Sequence, residues 1–245
     1  MTTTPPRVAL VTGGSRGIGR AIVRRLSGDG VRVLNLDLQA PEQLENGEHY
    51  AQLDVADAPR ARERLAALAR EWPVTDLVNN AGIVRPASIE DASEDDLDAV
   101  VAVNLAAAIR CVQAVLPGMK ERGYGRIVNI SSRAALGKPL RTVYSITKAG
   151  LHGLTRTLAL EIGHHGITVN AIGPGPIATE LFERVNPPDA PATKRIIESI
   201  PVRRMGTPDD VAHGVAMLLD PRSGFITGQV LYVCGGMTVG LGHAA

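Results

Sequence analysis

What most constrains this chain is a rhythm. Seven short apolar runs alternate with stretches of helical periodicity. The runs are Val8–Val11, Val31–Leu36, Tyr50–Leu53, a segment ending at Leu77-Val78-Asn79, Arg126–Ile130, Ile167–Ile172 and Val230–Val233. Between them, residues 21–26, 58–71, 94–116, 143–163 and 208–219 read as helices. Acidic residues open the 94–116 run, where a helix dipole favours them. A parallel strand pair needs a crossover long enough to hold a helix, so this alternation predicts parallel pairing. The expected fold class is α/β, a doubly wound three-layer fold around a seven-stranded parallel sheet. No repeat or linker divides residues 1–245, so a single domain is expected. The stretch 174–206 breaks the rhythm. It is rich in Pro and Gly, follows a strand's C-terminal end and carries a short helix near 191–199, which predicts a substrate lid.

Composition narrows the function. Lys+Arg total 26 and Asp+Glu 25, a net charge of +1. That balance gives no general attraction to nucleic acid or an anionic membrane. No run approaches 18 uncharged apolar residues, and the N-terminal segment from Met1 to Arg7 has no apolar core. A cytoplasmic protein is expected, with neither nucleic acid nor membrane as partner. Cys111 and Cys234 each lie in apolar runs and read as buried thiols, with no metal-ligand spacing around them. Aromatics are 3% of the chain, so the core must be built from Ala, Val, Leu and Ile.

The first apolar run opens onto Thr12-Gly13-Gly14-Ser15-Arg16-Gly17-Ile18-Gly19, and a helix follows. Gly13 permits the tight turn, Gly17 the approach of backbone to a pyrophosphate, and Gly19 close helix packing. Unpaired N–H groups at the helix start then face the phosphates. This makes the fold Rossmann-like and predicts dinucleotide binding by Gly13, Ser15, Arg16, Gly17, Ile18 and Gly19. Asp37 ends the second strand, where a carboxylate accepts from ribose hydroxyls and repels a 2′-phosphate. NAD(H) is therefore the expected cofactor, and Arg16 keeps NADP(H) as the alternative. Asp54 reads either as an acceptor for the adenine amino group or as an N-cap of the next helix. Leu38 and Val55 beside these acids complete the adenosine end.

Tyr144 and Lys148 are four residues apart, on one face of a helix. A unit charge ~4 Å from a phenol, at an effective dielectric of ~20, is worth roughly 4 kcal/mol. That would lower a tyrosine from ~10 by up to ~3 pH units. The pair is thus a candidate proton donor near neutral pH.

With Asn79-Asn80-Ala81-Gly82, Ser132, Pro174-Gly175…Thr179 and Cys234-Gly235-Gly236, these motifs resemble the short-chain dehydrogenases/reductases over nearly the whole chain, including members similar to 3-oxoacyl-[acyl-carrier-protein] reductase. The resemblance implies a catalytic set of Asn104, Ser132, Tyr144 and Lys148. Tyr144 would be the general acid or base, and Ser132 would bond the carbonyl oxygen. Lys148 would lower the tyrosine and hold the nicotinamide ribose, and Asn104 would order a relay water. The spacing from Ser132 to Tyr144 leaves Ser131 as the alternative hydroxyl, and a purely structural amide is the alternative for Asn104. Asn80, Ala81 and Gly82 would pack beside the adenosine ribose, and Pro174, Gly175, Ile177 and Thr179 would line the nicotinamide end.

The expected function is NAD(H)-dependent interconversion of a small secondary alcohol and its ketone. The loop 133–141, with Arg133, Lys138 and Arg141, and the lid around Leu181, Phe182 and Val185 would meet the substrate. An NADP(H)-dependent 3-oxoacyl-carrier-protein reductase is the alternative. Arg126 would be one basic counterpart at the site entrance for the acidic carrier, but His165 stands where a second is expected. A regulator that senses dinucleotides without chemistry is the non-enzymatic reading. The filled catalytic positions argue against it. The resemblance further implies a homotetramer packed through helices 94–122 and 143–163 and the C-terminal strand.

Overall fold

The computed structural model describes residues 6–180, 182, 187 and 190–239. β1 (Val8–Thr12) is buried along its whole length. Its side chains alternate: Val8 and Leu10 join the core on one face of the sheet, Ala9 and Val11 the core on the other. A parallel strand covered on both faces therefore reads as an unbroken apolar run, which is why the sequence exposes it. β2 (Arg32–Asp37), β3 (Glu48–Gln52), β4 (Asp76–Asn79), β5 (Gly125–Ile130), β6 (Ile167–Pro174) and β7 (Val230–Val233) complete the sheet. The order is β3-β2-β1-β4-β5-β6-β7, and every pairing is parallel. The sheet matches the expectation in strand number and direction.

The helices are α1 (Gly17–Gly28), α2 (Ala58–Glu71), α3 (Glu94–Val101), α4 (Ala107–Arg122), α5 (Thr142–Ile162), α6 (Pro191–Glu198) and α7 (Pro208–Leu219). One core packs Leu65 and Leu68 of α2 and Cys111, Val115 and Met119 of α4 against the sheet. The other packs Ile22 and Leu26 of α1 against Val211, Val215 and Leu219 of α7. Starts are well marked in the sequence. Ser93 and Asp96 form a reciprocal cap at α3, and Thr207 and Asp210 do the same at α7. The expected single run 94–116 is instead α3, a π-helical turn (Ala102–Ala106) and α4. The whole stretch Glu94–Arg122 is long and apolar enough to cross a membrane. Asp98 and Arg110 interrupt it, and it buries Val100, Ala107, Val112 and Val115 in this domain.

Candidate active site

Strand order reverses between β1 and β4, and the crevice outside the strands' C-terminal ends is where such sheets bind ligands. A cleft of about 560 Å³ lies there. Its lining includes Gly13, Arg16, Gly17, Ile18, Gly19, Asp37, Leu38, Asp54 and Val55. From β4 onward come Asn80, Ala81 and Gly82, then Ser131 and Ser132, Tyr144 and Lys148 of α5, and Pro174, Gly175, Ile177 and Thr179.

The glycine turn is held tightly. Gly13 and Gly17 have φ of +66° and +54°, a region that glycine enters without penalty. A Cβ on Gly19 would lie 1.9 Å from the Gly13 carbonyl oxygen, so only glycine lets α1 close on the turn. No side chain caps α1, and its first turn holds no acid. Its opening N–H groups are thus left for an anion. Asn80 ties the end of β4 to the turn. Its side-chain amide donates to the carbonyls of Thr12 (3.0 Å) and Gly13 (2.9 Å), and the N–H groups of Asn80 and Ala81 donate to Thr12 Oγ1 at 3.0 Å. Glycine cradle, helix start and cleft volume together fit a dinucleotide.

At the adenosine end, Asp37 accepts from the N–H of Ser15 (3.0 Å) and of Gln39 (3.2 Å). Asp54 is not the N-cap of α2. That place belongs to Asp57, and Asp54 accepts instead from the Ala56 N–H at 2.8 Å. Ser15 departs from expectation. It is buried, does not line the cleft, and its hydroxyl accepts from Asn35 Nδ2 at 3.2 Å.

At the other end, α5 presents Tyr144 and Lys148 together, with Lys148 Nζ 5.6 Å from the centre of the phenol ring. Lys148 is buried and donates to the Ile130 carbonyl at 2.7 Å. Burial pushes its ammonium down from 10.5 to about 8. Tyr144 corrects the expectation of a lowered phenol. Burial raises it, and the Ser132 hydrogen bond and the Arg141 charge offset that only in part. Desolvation outweighs the neighbouring charges here. Both Ser131 and Ser132 line the cleft, and their hydroxyls differ in what they bond. Ser132 bonds Tyr144 and accepts from the Ala134 N–H at 3.1 Å. Ser131 donates to the Lys148 carbonyl and meets His152 Nε2, both at 2.8 Å, so its hydroxyl is already engaged.

Asn104 sits in the π-helical turn and outside the cleft lining. Its side chain accepts from the Ile83 N–H (2.8 Å) and donates to the Ile83 carbonyl (3.0 Å) and to Thr147 Oγ1 (3.2 Å). The structural alternative therefore describes its bonding. A Cβ at Gly82 would still lie 3.3 Å from Lys148 Nζ and 3.4 Å from Asn104 Oδ1, so the three positions adjoin. Arg126 is a second correction. It lies near the start of β5, at the sheet edge opposite the cleft, and is buried. Its guanidinium bonds the carbonyls of Gly125, Gly166 and Pro221 and stacks on Tyr124. It does not stand at this cleft's entrance. Leu181 and Val185 lie outside the described residues.

Several supporting residues gave no sequence signal: Asn35, Glu48, Thr147 and Asn129, which accepts from the side-chain amide of Asn79 at 2.8 Å. Their partners are distant in sequence, and no spacing rule marks them. Among the described residues, no group of three His, Cys, Asp or Glu side chains could hold a metal ion.

A family profile described as enoyl-(acyl carrier protein) reductase matches residues 13–238. An acetoacetyl-CoA reductase from Shinella zoogloeoides is 41% identical, with 94% of this chain and 98% of that protein covered. A (2S)-[(R)-hydroxy(phenyl)methyl]succinyl-CoA dehydrogenase subunit from Thauera aromatica is 38% identical, covering 95% and 97%. Among solved structures, a putative NAD(P)-dependent gluconate 5-dehydrogenase from Beutenbergia cavernae, with NADP bound at low occupancy, superposes with a TM-score of 0.87. It is 33% identical, with 95% and 96% of the two chains covered. Sequence, topology and cleft agree: the chain belongs to the short-chain dehydrogenase/reductase family and is an oxidoreductase that binds a nicotinamide dinucleotide.

Proposed function

We propose that this protein is an NAD(H)-dependent oxidoreductase interconverting a secondary alcohol and a ketone. The observation that carries this reading is the meeting of Tyr144, Ser132 and Lys148 in the cleft that holds the glycine turn. When bound, the nicotinamide supplies or accepts the hydride. The chain's own residues handle the proton. A phenol raised by burial stays protonated at neutral pH, so Tyr144 is loaded to donate to a carbonyl oxygen in reduction. Ser132 donates a hydrogen bond to the same oxygen as charge develops on it. The Lys148 ammonium, charged below about pH 8, steadies the phenolate that proton transfer leaves behind. In oxidation Tyr144 takes the proton back. Asn104, through Ile83 and Thr147, keeps the floor beside Lys148 in place.

NAD(H) is favoured by Asp37, whose carboxylate would face a 2′-phosphate as a like charge. A second reading, an NADP(H)-dependent reductase of 3-oxoacyl thioesters, draws on the acetoacetyl-CoA reductase relative, the NADP of the solved neighbour and Arg16 in the cleft lining. A panel of alcohols, ketones and 3-oxoacyl thioesters, run with NADH and NADPH in parallel, tests both. Turnover with NADH, and a gain in NADPH use by Asp37→Ala, are expected. Faster turnover of the wild type with NADPH would overturn the NAD assignment, and no turnover at all would favour a dinucleotide sensor. We place the protein in the cytoplasm as a homotetramer. Exposed Leu97, Ile109, Ile146 and Leu160 on α3, α4 and α5, and Leu231 on β7, support that assembly. Light scattering that reads a monomer would remove it.

A further inference from the structure

We propose that Glu48, which does not line the cleft, sets the discrimination between NAD and NADP by holding Asp37 in place through Asn35 and Ser15. The inference rests on the reading of Asp37 as the ribose acceptor.

Glu48 lies on β3 with its side chain wholly buried. Arg20 of α1 bonds both its carboxylate oxygens at 2.8 Å, and the Glu45 N–H adds a third bond at 2.8 Å. With its charge neutralised and its oxygens fixed, Glu48 accepts from Asn35 Nδ2 at 2.9 Å. The same amide nitrogen donates to Ser15 Oγ at 3.2 Å. Ser15 in turn donates its N–H to Asp37 Oδ2 at 3.0 Å. The chain of contacts thus runs from α1 and β3, through β2, into the glycine turn and on to the cleft.

Each link removes a freedom. A Cβ on Gly14 would lie 2.4 Å from Asn35 Oδ1, so the turn is seated directly against the Asn35 amide. With both N–H donors of the Asn35 amide taken, one by Glu48 and one by Ser15, no alternative rotamer keeps both bonds. Asp37 is gripped from two sides, by Ser15 on Oδ2 and by Gln39 on Oδ1. A carboxylate fixed in its plane offers its remaining lone pairs to two vicinal hydroxyls and cannot swing away from a 2′-phosphate. One freed at the Ser15 side can do both less well: it accepts the diol poorly and yields to the phosphate. Glu48 is therefore a positioning residue, and its effect appears in the ratio of the two cofactor affinities.

The test measures dissociation constants for NADH and NADPH by nicotinamide fluorescence, with a melting curve for each protein. The proteins are wild type, Glu48→Ala, Glu48→Gln, Asp37→Ala and the double variant Glu48→Ala/Asp37→Ala. Glu48→Ala is expected to narrow the NADPH/NADH ratio of dissociation constants by roughly tenfold, the scale of one charge-assisted hydrogen bond. Glu48→Gln keeps an acceptor for Asn35 and should restore much of that ratio. In the Asp37→Ala background, Glu48→Ala should leave the ratio unchanged. Equal weakening of both cofactors by Glu48→Ala, or effects on the ratio that add in the double variant, would overturn the inference. If Glu48→Ala does not fold, Asn35→Ala, which breaks the same link between Glu48 and Ser15, carries the test, and a ratio identical to wild type overturns the inference. A wild type that prefers NADPH would sink the NAD assignment by itself, and the additivity of the two substitutions would still decide the role of Glu48.

Discussion

Replacing Lys148 with methionine should change how stability depends on pH. Burial holds the Lys148 ammonium at about 8, against an ordinary 10.5. At ~1.4 kcal/mol per pH unit, the native state bears about 3 kcal/mol for keeping that charge inside. Below pH 8 both native and unfolded chains hold the proton, and the whole penalty is present. Between about 8 and 10.5 the native lysine is neutral while the unfolded one is still charged. The unfolded state then binds more protons, so stability rises with pH across that window. Methionine has nearly the same bulk and no proton to lose. Its cost, the unpartnered Ile130 carbonyl, is about 1–3 kcal/mol and independent of pH. Groups that titrate alike in both proteins cancel in the difference. Urea unfolding at intervals from pH 7 to 10 should show wild type gaining about 2–3 kcal/mol relative to Lys148→Met. Parallel stability curves would refute the claim that a buried ammonium is held here at the expense of the fold.

Two further substitutions probe the cleft. Gly19→Ala forces a methyl into the Gly13 carbonyl and the Asn80 amide, at 1.9 and 2.6 Å. Overpacking of this kind costs about 1–3 kcal/mol, so a melting temperature lower by about 3–10 °C and dinucleotide affinity weaker by tenfold or more are expected from calorimetry and titration. Unchanged affinity would mean that the turn does not cradle the phosphates. Ser132→Ala should lower kcat by about 10²-fold or more at unchanged dinucleotide affinity. Ser131→Ala should instead act through Lys148 and His152 and cost less. The reverse order would assign the reacting hydroxyl to Ser131.

The sheet was legible because its inner strands β1, β4, β5 and β6 are buried along their length, β1 as an unbroken apolar run, whereas β3 and β7 at the edges are only partly buried. Boundaries moved little: β3 begins at Glu48 where Tyr50 was expected, and β6 runs on to Pro174. The π-helical turn left no trace, since its one extra backbone residue per turn falls inside the apolar stretch around Asn104. Spacing located Tyr144 beside Lys148 but carried no information on burial. The sign of the phenol's displacement therefore came out reversed. Arg126 was misread because its side chain belongs to the start of β5, whose far end carries the cleft. The Glu48–Asn35–Ser15 chain was illegible for a different reason. Hydrogen bonds between side chains from separate strands leave no periodic signature.

The central claim is that Tyr144 moves the proton in an alcohol–carbonyl exchange within this cleft. Tyr144→Phe keeps the ring and removes only the hydroxyl. The account predicts that this variant binds NADH as wild type does, by fluorescence titration. With the best ketone of the panel, its turnover should be at least about 10²–10⁴-fold slower. Turnover within a few-fold of wild type, with binding unchanged, would contradict the account.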